Sequence, residues 1–347
     1  MKIIFDNIIF SLQHAGGISV VWTHLINRMM KKWNDLSFIE YEGCDNIYRG
    51  CVNIPPEIIE LRSYHLMKIK RYMNPHIKAK LPFIFHSSYF RICNHPLAIN
   101  ITTVHDFTYE LFVNSPIKHW LHCRQKYNAI RHSDYVVCIS ENTKKDLFKF
   151  LPDIHPDKVR VIYNGVDETF HQLEDCTTQP FILYVGKRDP YKNFDKIIKP
   201  VSELGMSIHI VGDSLNRQEE SLLHEHHCQC VHHGFVSNEK LNELYNHAFC
   251  LLYPSEYEGF GLPILEAQKA GCPVIAFNGS SIPEIIGDST LLLHSVTDEE
   301  IKSKLQLLNN QVLRTEVIKK GIRNAERFSW DKMAEEYISL YKQIGIV

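Results

Sequence analysis

Glu258-Gly259-Phe260-Gly261-Leu262-Pro263-Ile264-Leu265-Glu266 sets a glycine-rich loop directly before a helix start, with a carboxylate at each end. Cys250 to Tyr253 ahead of it read as a buried strand ending at a turn. Ala267 to Gly271 behind it read as a short helix closed by glycine. Pro263 suits a first helical turn, where its missing N–H costs nothing. Gly259 and Gly261 carry no side chain, so a ligand can approach the backbone closely. The amides of such a turn, from Gly259 and Phe260 to Gly261 and Leu262, suit a phosphate, helped by the helix dipole. The carboxylates of Glu258 and Glu266 do not suit a phosphate. They suit hydroxyls, such as those of a ribose and a hexose, and together the set points to a nucleotide-sugar site. A first-turn Glu beside a Gly- and Pro-containing turn also forms for structural reasons alone.

Outward from this stretch, apolar runs alternate with helical patterns. In the first half, strands are expected at Lys2–Phe5, Phe83–Phe85, Ile99–Val104, Tyr135–Ile139 and Val159–Ile162. Helices are expected at Ile18–Lys32, Ile117–Arg131 and Asn142–Phe150. In the second half, strands at Phe181–Val185, Ser207–Val211, Ala248–Leu252 and Pro273–Ala276 alternate with helices starting near Phe194, Arg217, Asn238 and Pro263. Two runs of such alternation predict two α/β domains, each a doubly wound parallel sheet of Rossmann type. The polar stretch from Asp167 to Pro180 is the expected join. The domains are placed at 1–170 and 171–328, with a closing helix over 329–347. In such sheets ligands bind beyond the carboxyl ends of the strands.

The ordered series of segments is highly specific. Glu-x7-Glu within EGFGLPxLE resembles the signature of retaining glycosyltransferases of family four, which have the GT-B fold. Gly234 to Ser237 and Leu241 to Ala248 resemble the family segment before it. Gly271 to Ala276 and Ser281 to Gly287 resemble the one after it. The resemblance implies two domains facing across a cleft, a first one for the acceptor and a second one for the nucleotide-sugar donor. It implies a last helix that returns to the first domain.

Gly186-Lys187-Arg188-Asp189-Pro190-Tyr191-Lys192-Asn193 resembles the family loop that holds the donor diphosphate. A cation there stabilises charge developing on the leaving group. Lys192 matches the family lysine; Lys187 and Arg188 compete for the place of its partner. Gly16-Gly17, after the first strand, resembles the family's paired-glycine loop near the phosphates or the acceptor. His105, in Thr103-Val104-His105-Asp106, matches a histidine that the family sets beside the donor sugar. Ser140-Glu141-Asn142 and Asn164-Gly165 read as a helix cap and a turn. The catalytic set is thus His105, Lys192 and Glu258. The expected reaction is retaining hexosyl transfer from a nucleoside diphosphate sugar to a hydroxyl of a glycan or lipid-linked glycan, as in polysaccharide or lipopolysaccharide biosynthesis. GDP-mannose is favoured, because the GxxxPxKN-like loop resembles that of mannosyltransferases. No cofactor and no metal are expected, since lysine and backbone dipoles meet the phosphate charge. The alternatives are a sugar-nucleotide epimerase or a phosphorylase on the same fold, and a non-catalytic nucleotide-sugar binding subunit.

Composition narrows the setting. The 347 residues are 44% hydrophobic and 22% charged, and no run of about 18 apolar residues stands out. Met1 to Asp6 read as a buried strand rather than an export signal, so the ten cysteines are expected to be reduced thiols in a cytoplasmic protein, at or near the inner face of the membrane. The cluster His224 to His233 offers zinc-type ligands in no standard zinc spacing. Residues 1–168 carry 21 Lys and Arg against 16 Asp and Glu, a net +5; the remainder carries 17 against 24, a net −7. Arg62, Lys68, Lys70, Arg71, Lys78 and Lys80 supply much of the basic excess. They fit either contact with an anionic membrane or a solvated helix face. No motif for binding nucleic acid accompanies them.

Overall fold

A computed structural model describes residues 1–174 and 176–346; the side chains of Lys68 and Ile346, with Asp175 and Val347, lie outside the described set. The chain forms two compact units. Met1–Gly165 with Trp330–Val347 make the first and Val166–Ser329 the second.

The first unit is built on seven parallel strands: β1 (Lys2–Asp6), β2 (Leu36–Tyr41), β3 (Ile59–Arg62), β4 (Phe83–Ser87), β5 (Ala98–Val104), β6 (Tyr135–Cys138) and β7 (Val159–Val161). Their order is β3-β2-β1-β4-β5-β6-β7. β2 and β3 are additions to the strands read from sequence; β3 is short, with only half-buried and exposed residues, so it lacks a strand's apolar signal. The second unit has six: β8 (Phe181–Val185), β9 (Ser207–Val211), β10 (Cys230–His232), β11 (Cys250–Tyr253), β12 (Val274–Phe277) and β13 (Leu292–Leu293). Their order is β10-β9-β8-β11-β12-β13, also parallel. β10 and β13 are additions to the strands read from sequence; β10 has only half-buried and exposed residues, and the two-residue β13 is too short to show a period.

Both sheets are doubly wound, and both reverse direction beside their first strand, at β1/β4 and at β8/β11. Strands such as Phe181–Val185 are almost continuously apolar because helices cover both faces. The core of the second unit joins Ile182, Tyr184, Ile208, Ile210, Cys250 and Leu252 from strands to Phe194, Ile197 and Val201 from the helix Phe194–Glu203. Crevices for ligands open at the carboxyl ends of strands flanking such a reversal.

The last helix, Trp330–Ile346, packs in the first unit through polar bonds as well as apolar ones. The Tyr341 hydroxyl lies 2.7 Å from His86 Nδ1, and Thr103 Oγ1 lies 2.9 Å from His86 Nε2 and 3.0 Å from the Tyr337 hydroxyl. Burial drives the His86 pKa down to about 3, so the ring is neutral and both nitrogens are satisfied. Trp330 stacks on His24, and Arg28 pairs with Asp331 at 2.6 Å.

Candidate functional site

In the second unit, the two segments singled out by sequence emerge side by side at the sheet reversal. Gly186–Asn193 follows β8, and Pro254–Gly261 follows β11, its neighbour. The two loops are stapled together. Asn193 Nδ2 donates to the Pro254 carbonyl at 3.0 Å and to Glu256 Oε1 at 3.1 Å. The Glu256 amide donates to the Tyr191 carbonyl at 2.9 Å. Asn193 holds φ at +52°, a left-handed conformation that Asn tolerates better than most residues.

Across this staple, Lys192 Nζ donates to Glu258 Oε1 at 2.8 Å, and each side chain is only 15% exposed. Two of the three residues assigned to catalysis are thus brought into one ion pair. The Glu258 backbone is fixed as well: its amide donates to Ser280 Oγ at 2.8 Å. The buried Ser281 hydroxyl lies 2.8 and 2.9 Å from the Glu258 and Phe260 carbonyls. The Tyr253 hydroxyl bonds the Glu258 side chain; burial first, and then that carboxylate, hold its pKa well above the usual phenol range.

Gly259 and Phe260 lead into Gly261, which caps the helix Leu262–Lys269 with φ +110°. An added Cβ there would be strained and would meet Ile264 Cδ1 at 3.1 Å. Leu262 and Pro263 form the helix's first turn; Pro263 has no N–H and the Ile264 amide donates to the Gly261 carbonyl at 3.0 Å, which leaves the Leu262 amide as the first-turn donor without an intrahelical carbonyl. Glu266 lies one turn further on. Its Oε2 accepts from the buried Tyr245 hydroxyl at 3.0 Å. Burial pushes its pKa up to about 7; the Tyr245 bond opposes the rise and Asp167 adds to it.

The two rival cations of the first loop have different fates. Arg188 is buried, donating to Glu219 Oε1 at 2.9 Å and to the Asp213 and Ser214 carbonyls at 2.9 and 2.7 Å. Its place is structural, tying the loop to the helix Arg217–Glu225. Lys187 is exposed to solvent.

In the first unit, Gly16 and Gly17 begin the helix Gly17–Lys32 beyond the carboxyl end of β1. Ser19 Oγ donates to the Gly16 carbonyl at 2.8 Å, which closes the turn. At the same reversal, Asp6 and Arg91 form a buried bidentate pair that sequence reading missed, since the two lie 85 positions apart along the chain. His105 follows β5. Burial lowers its pKa to about 4, with Asp106 opposing and Lys126 adding to the effect, so the imidazole is neutral at physiological pH. Lys126 fixes this turn from below, donating to the Asp106 carbonyl at 2.9 Å and to Glu110 at 2.8 Å. Lys126 and Glu110 escaped sequence reading, although a lysine on the apolar face of Pro116–His132 gave a signal that could have been used; Asn193, Tyr245 and Ser281 lie in segments singled out there, but their bonding roles were not read.

The His224–His233 cluster does not converge. His232 bonds the Gly212 carbonyl, His233 reaches His209, and Cys228 is buried. Among the described residues, no three His, Cys, Asp or Glu side chains gather as a metal ion would need.

Residues 166–325 match the family described as Glycosyl transferases group 1, and residues 15–170 match Glycosyltransferase Family 4. The chain belongs to the family-four-like glycosyltransferases. An O-antigen chain mannosyltransferase B of Escherichia coli is 32% identical over 179 residues, 47% of this chain and 46% of that protein, so the match spans about half the length of that relative. An uncharacterised glycosyltransferase of Methanocaldococcus jannaschii is 25% identical over 99% of both chains. Among solved structures, the sucrose-phosphate synthase of Thermosynechococcus elongatus shares the fold, with TM-score 0.81 over 100% of both chains at 18% identity. These likenesses confirm two Rossmann-like domains of GT-B type. Among the described residues, no helix is long and apolar enough to cross a membrane.

Proposed function

We propose that this glycosyltransferase moves a hexose from a nucleoside diphosphate sugar to a glycan or lipid-linked hydroxyl with retention of configuration. Mannose from GDP-mannose is the favoured donor, and the resemblance to an O-antigen mannosyltransferase supports it. The observation that carries the reading is the Lys192–Glu258 pair beside a Gly261-capped helix, at the reversal of a doubly wound sheet.

The roles follow from charge. Lys192 exchanges part of its bond to Glu258 for the diphosphate. The exposed Lys187 gives a second cation, while Arg188 keeps the loop in shape. Amides around Gly259 to Leu262 add the helix dipole, so the leaving diphosphate is met without a metal. Glu258, relieved of half its ion pair, accepts from sugar hydroxyls. Glu266, oriented by Tyr245, accepts from ribose hydroxyls. The neutral His105 has the form needed to share a hydrogen bond with a sugar hydroxyl. Retention proceeds by same-face attack, the acceptor proton passing to the departing phosphate. The acceptor oxygen–carbon bond forms as the carbon–phosphate-oxygen bond breaks.

A screen of nucleotide sugars by calorimetry, followed by the anomeric configuration of the product, tests this reading. Binding and transfer of one donor with retained configuration is expected. Binding without transfer would favour a non-catalytic subunit, and an inverted product would refute the mechanism.

A further inference from the structure

Residues 61–82 hold six lysines and arginines and no aspartate or glutamate, in a chain of net charge −2. The same stretch leaves Leu61, Leu66, Ile69, Met73 and Leu81 each more than half exposed. Arg62 and Lys70 donate to the carbonyls of His76 and Ser63, which braces the segment on itself. Lys78 and Lys80 stand exposed; the side chain of Lys68 lies outside the described set. The segment is joined to the helix Pro116–His132. Gln125 donates to the Arg71 carbonyl, and Arg71 donates to the Tyr89 hydroxyl, which pairs with His122. The first turns of that helix expose Ile117 and Trp120 at 77% and 55%, with the Arg124 guanidinium 5.2 Å from the Trp120 ring.

Arg62 is paired with Glu60, just before the stretch, at 2.7 Å, and the stretch keeps an excess of positive charge. Single exposed aliphatic residues are ordinary, but a concentration of them beside such an excess is not. A second copy of the chain would set the same six cations against themselves. An acidic peptide would answer the charge and leave the aliphatic residues wet. An anionic bilayer answers both. Its phosphates meet lysines, and its headgroup boundary receives Leu, Ile, Tyr and Trp, whose rings sit well where one end is apolar and the other wet.

We propose that residues 61–81, with the first turns of helix Pro116–His132, dock on an anionic bilayer surface. The inference does not rest on the glycosyl-transfer reading, because transfer to a water-soluble acceptor is independent of it.

The test is cosedimentation with vesicles of phosphatidylglycerol and phosphatidylcholine in equal parts, against pure phosphatidylcholine. At low salt the protein should sediment with the anionic vesicles only. Salt of about 1 M, where the Debye length is about 3 Å, should weaken this. K78E/K80E should lower the partition at least about 25-fold, at about fivefold per basic residue. I69S/L81S should weaken it separately, and Trp120 emission should shift blue on the vesicles, a change missing from W120F. Matched thermal unfolding shows that the variants fold. Failure of the unmodified protein to sediment at low salt would overturn the proposal. So would equal sedimentation by all variants, binding to polyglutamate but not to vesicles, or a dimer in sedimentation equilibrium that I69S/L81S abolishes.

Discussion

Replacing Glu266 by glutamine should make the protein more stable at alkaline pH and a poorer binder of its donor. The Glu266 carboxyl is raised from 4.5 to about 7, chiefly by burial. It therefore binds its proton more tightly folded than unfolded. The resulting destabilisation is absent below about pH 4.5, where both states are protonated, grows as pH rises, and is complete above about 7. At about 1.4 kcal/mol per pKa unit the ceiling is about 3 kcal/mol. Residual solvent contact at this half-buried side chain brings the expectation to about 1–2 kcal/mol. Glutamine is uncharged and keeps an oxygen for the Tyr245 hydroxyl, so it removes this penalty and little else. A unit of this size shifts by about 2–4 °C per kcal/mol, so the transition of the second unit should rise by several degrees at pH 8 and hardly at pH 4.5. Scanning calorimetry at the two pH values reads this directly. In the proposed role at the donor ribose, the same substitution removes the charge that would strengthen bonds to its hydroxyls, so kcat/KM should fall at least tenfold, about 1.4 kcal/mol. A stability change that is the same at both pH values would refute the buried, proton-holding carboxyl. Unchanged donor affinity at pH 8 would refute its role at the ribose.

Lys192→Ala should lower kcat far more than Lys187→Ala, beyond any effect on KM, because the proposed mechanism sets its ammonium at the leaving diphosphate; equal, small losses would show the loop is only a basic turn. Arg188→Ala should act on stability instead, by about 3–5 kcal/mol, since it strands the Glu219 carboxylate; a normal unfolding temperature would disprove that structural role. Chelators should leave transfer nearly intact, and an absolute need for Mg²⁺ or Mn²⁺ restored by adding metal back would return the acidic residues to consideration as ligands.

Much of the architecture was written locally. The helix Phe194–Glu203 and strands Phe181–Val185 and Ser207–Val211 begin where apolar periods begin, because burial on one or both faces dictates those periods. Gly261 at a positive φ, and Ser140 capping the helix Glu141–Phe150 by accepting from the Thr143 amide, follow from the same short-range chemistry. Strands β2, β3, β10 and β13 were not read from sequence; β3 and β10 hold only half-buried and exposed residues, and β13 is two residues long.

The pairing of residues was a matter for the tertiary structure. Lys192 and Glu258 were each legible as motif residues, yet nothing local says that they touch. They meet because β8 pairs with β9 on one edge and with β11 on the other, which carries two loops 66 positions apart to one crevice. The same holds for Arg188. Its sequence offered it as a phosphate ligand, and only the packing of helix Arg217–Glu225 against its loop shows the guanidinium spent on Glu219. Tyr245 and Glu266 join two helices, and Asp6 and Arg91 join two strand ends, in the same way. Local sequence dictates which backbone conformations are cheap at each residue. Which charges end up sharing a buried site depends on strand order, and strand order is chosen by the summed burial of whole faces rather than by any one segment.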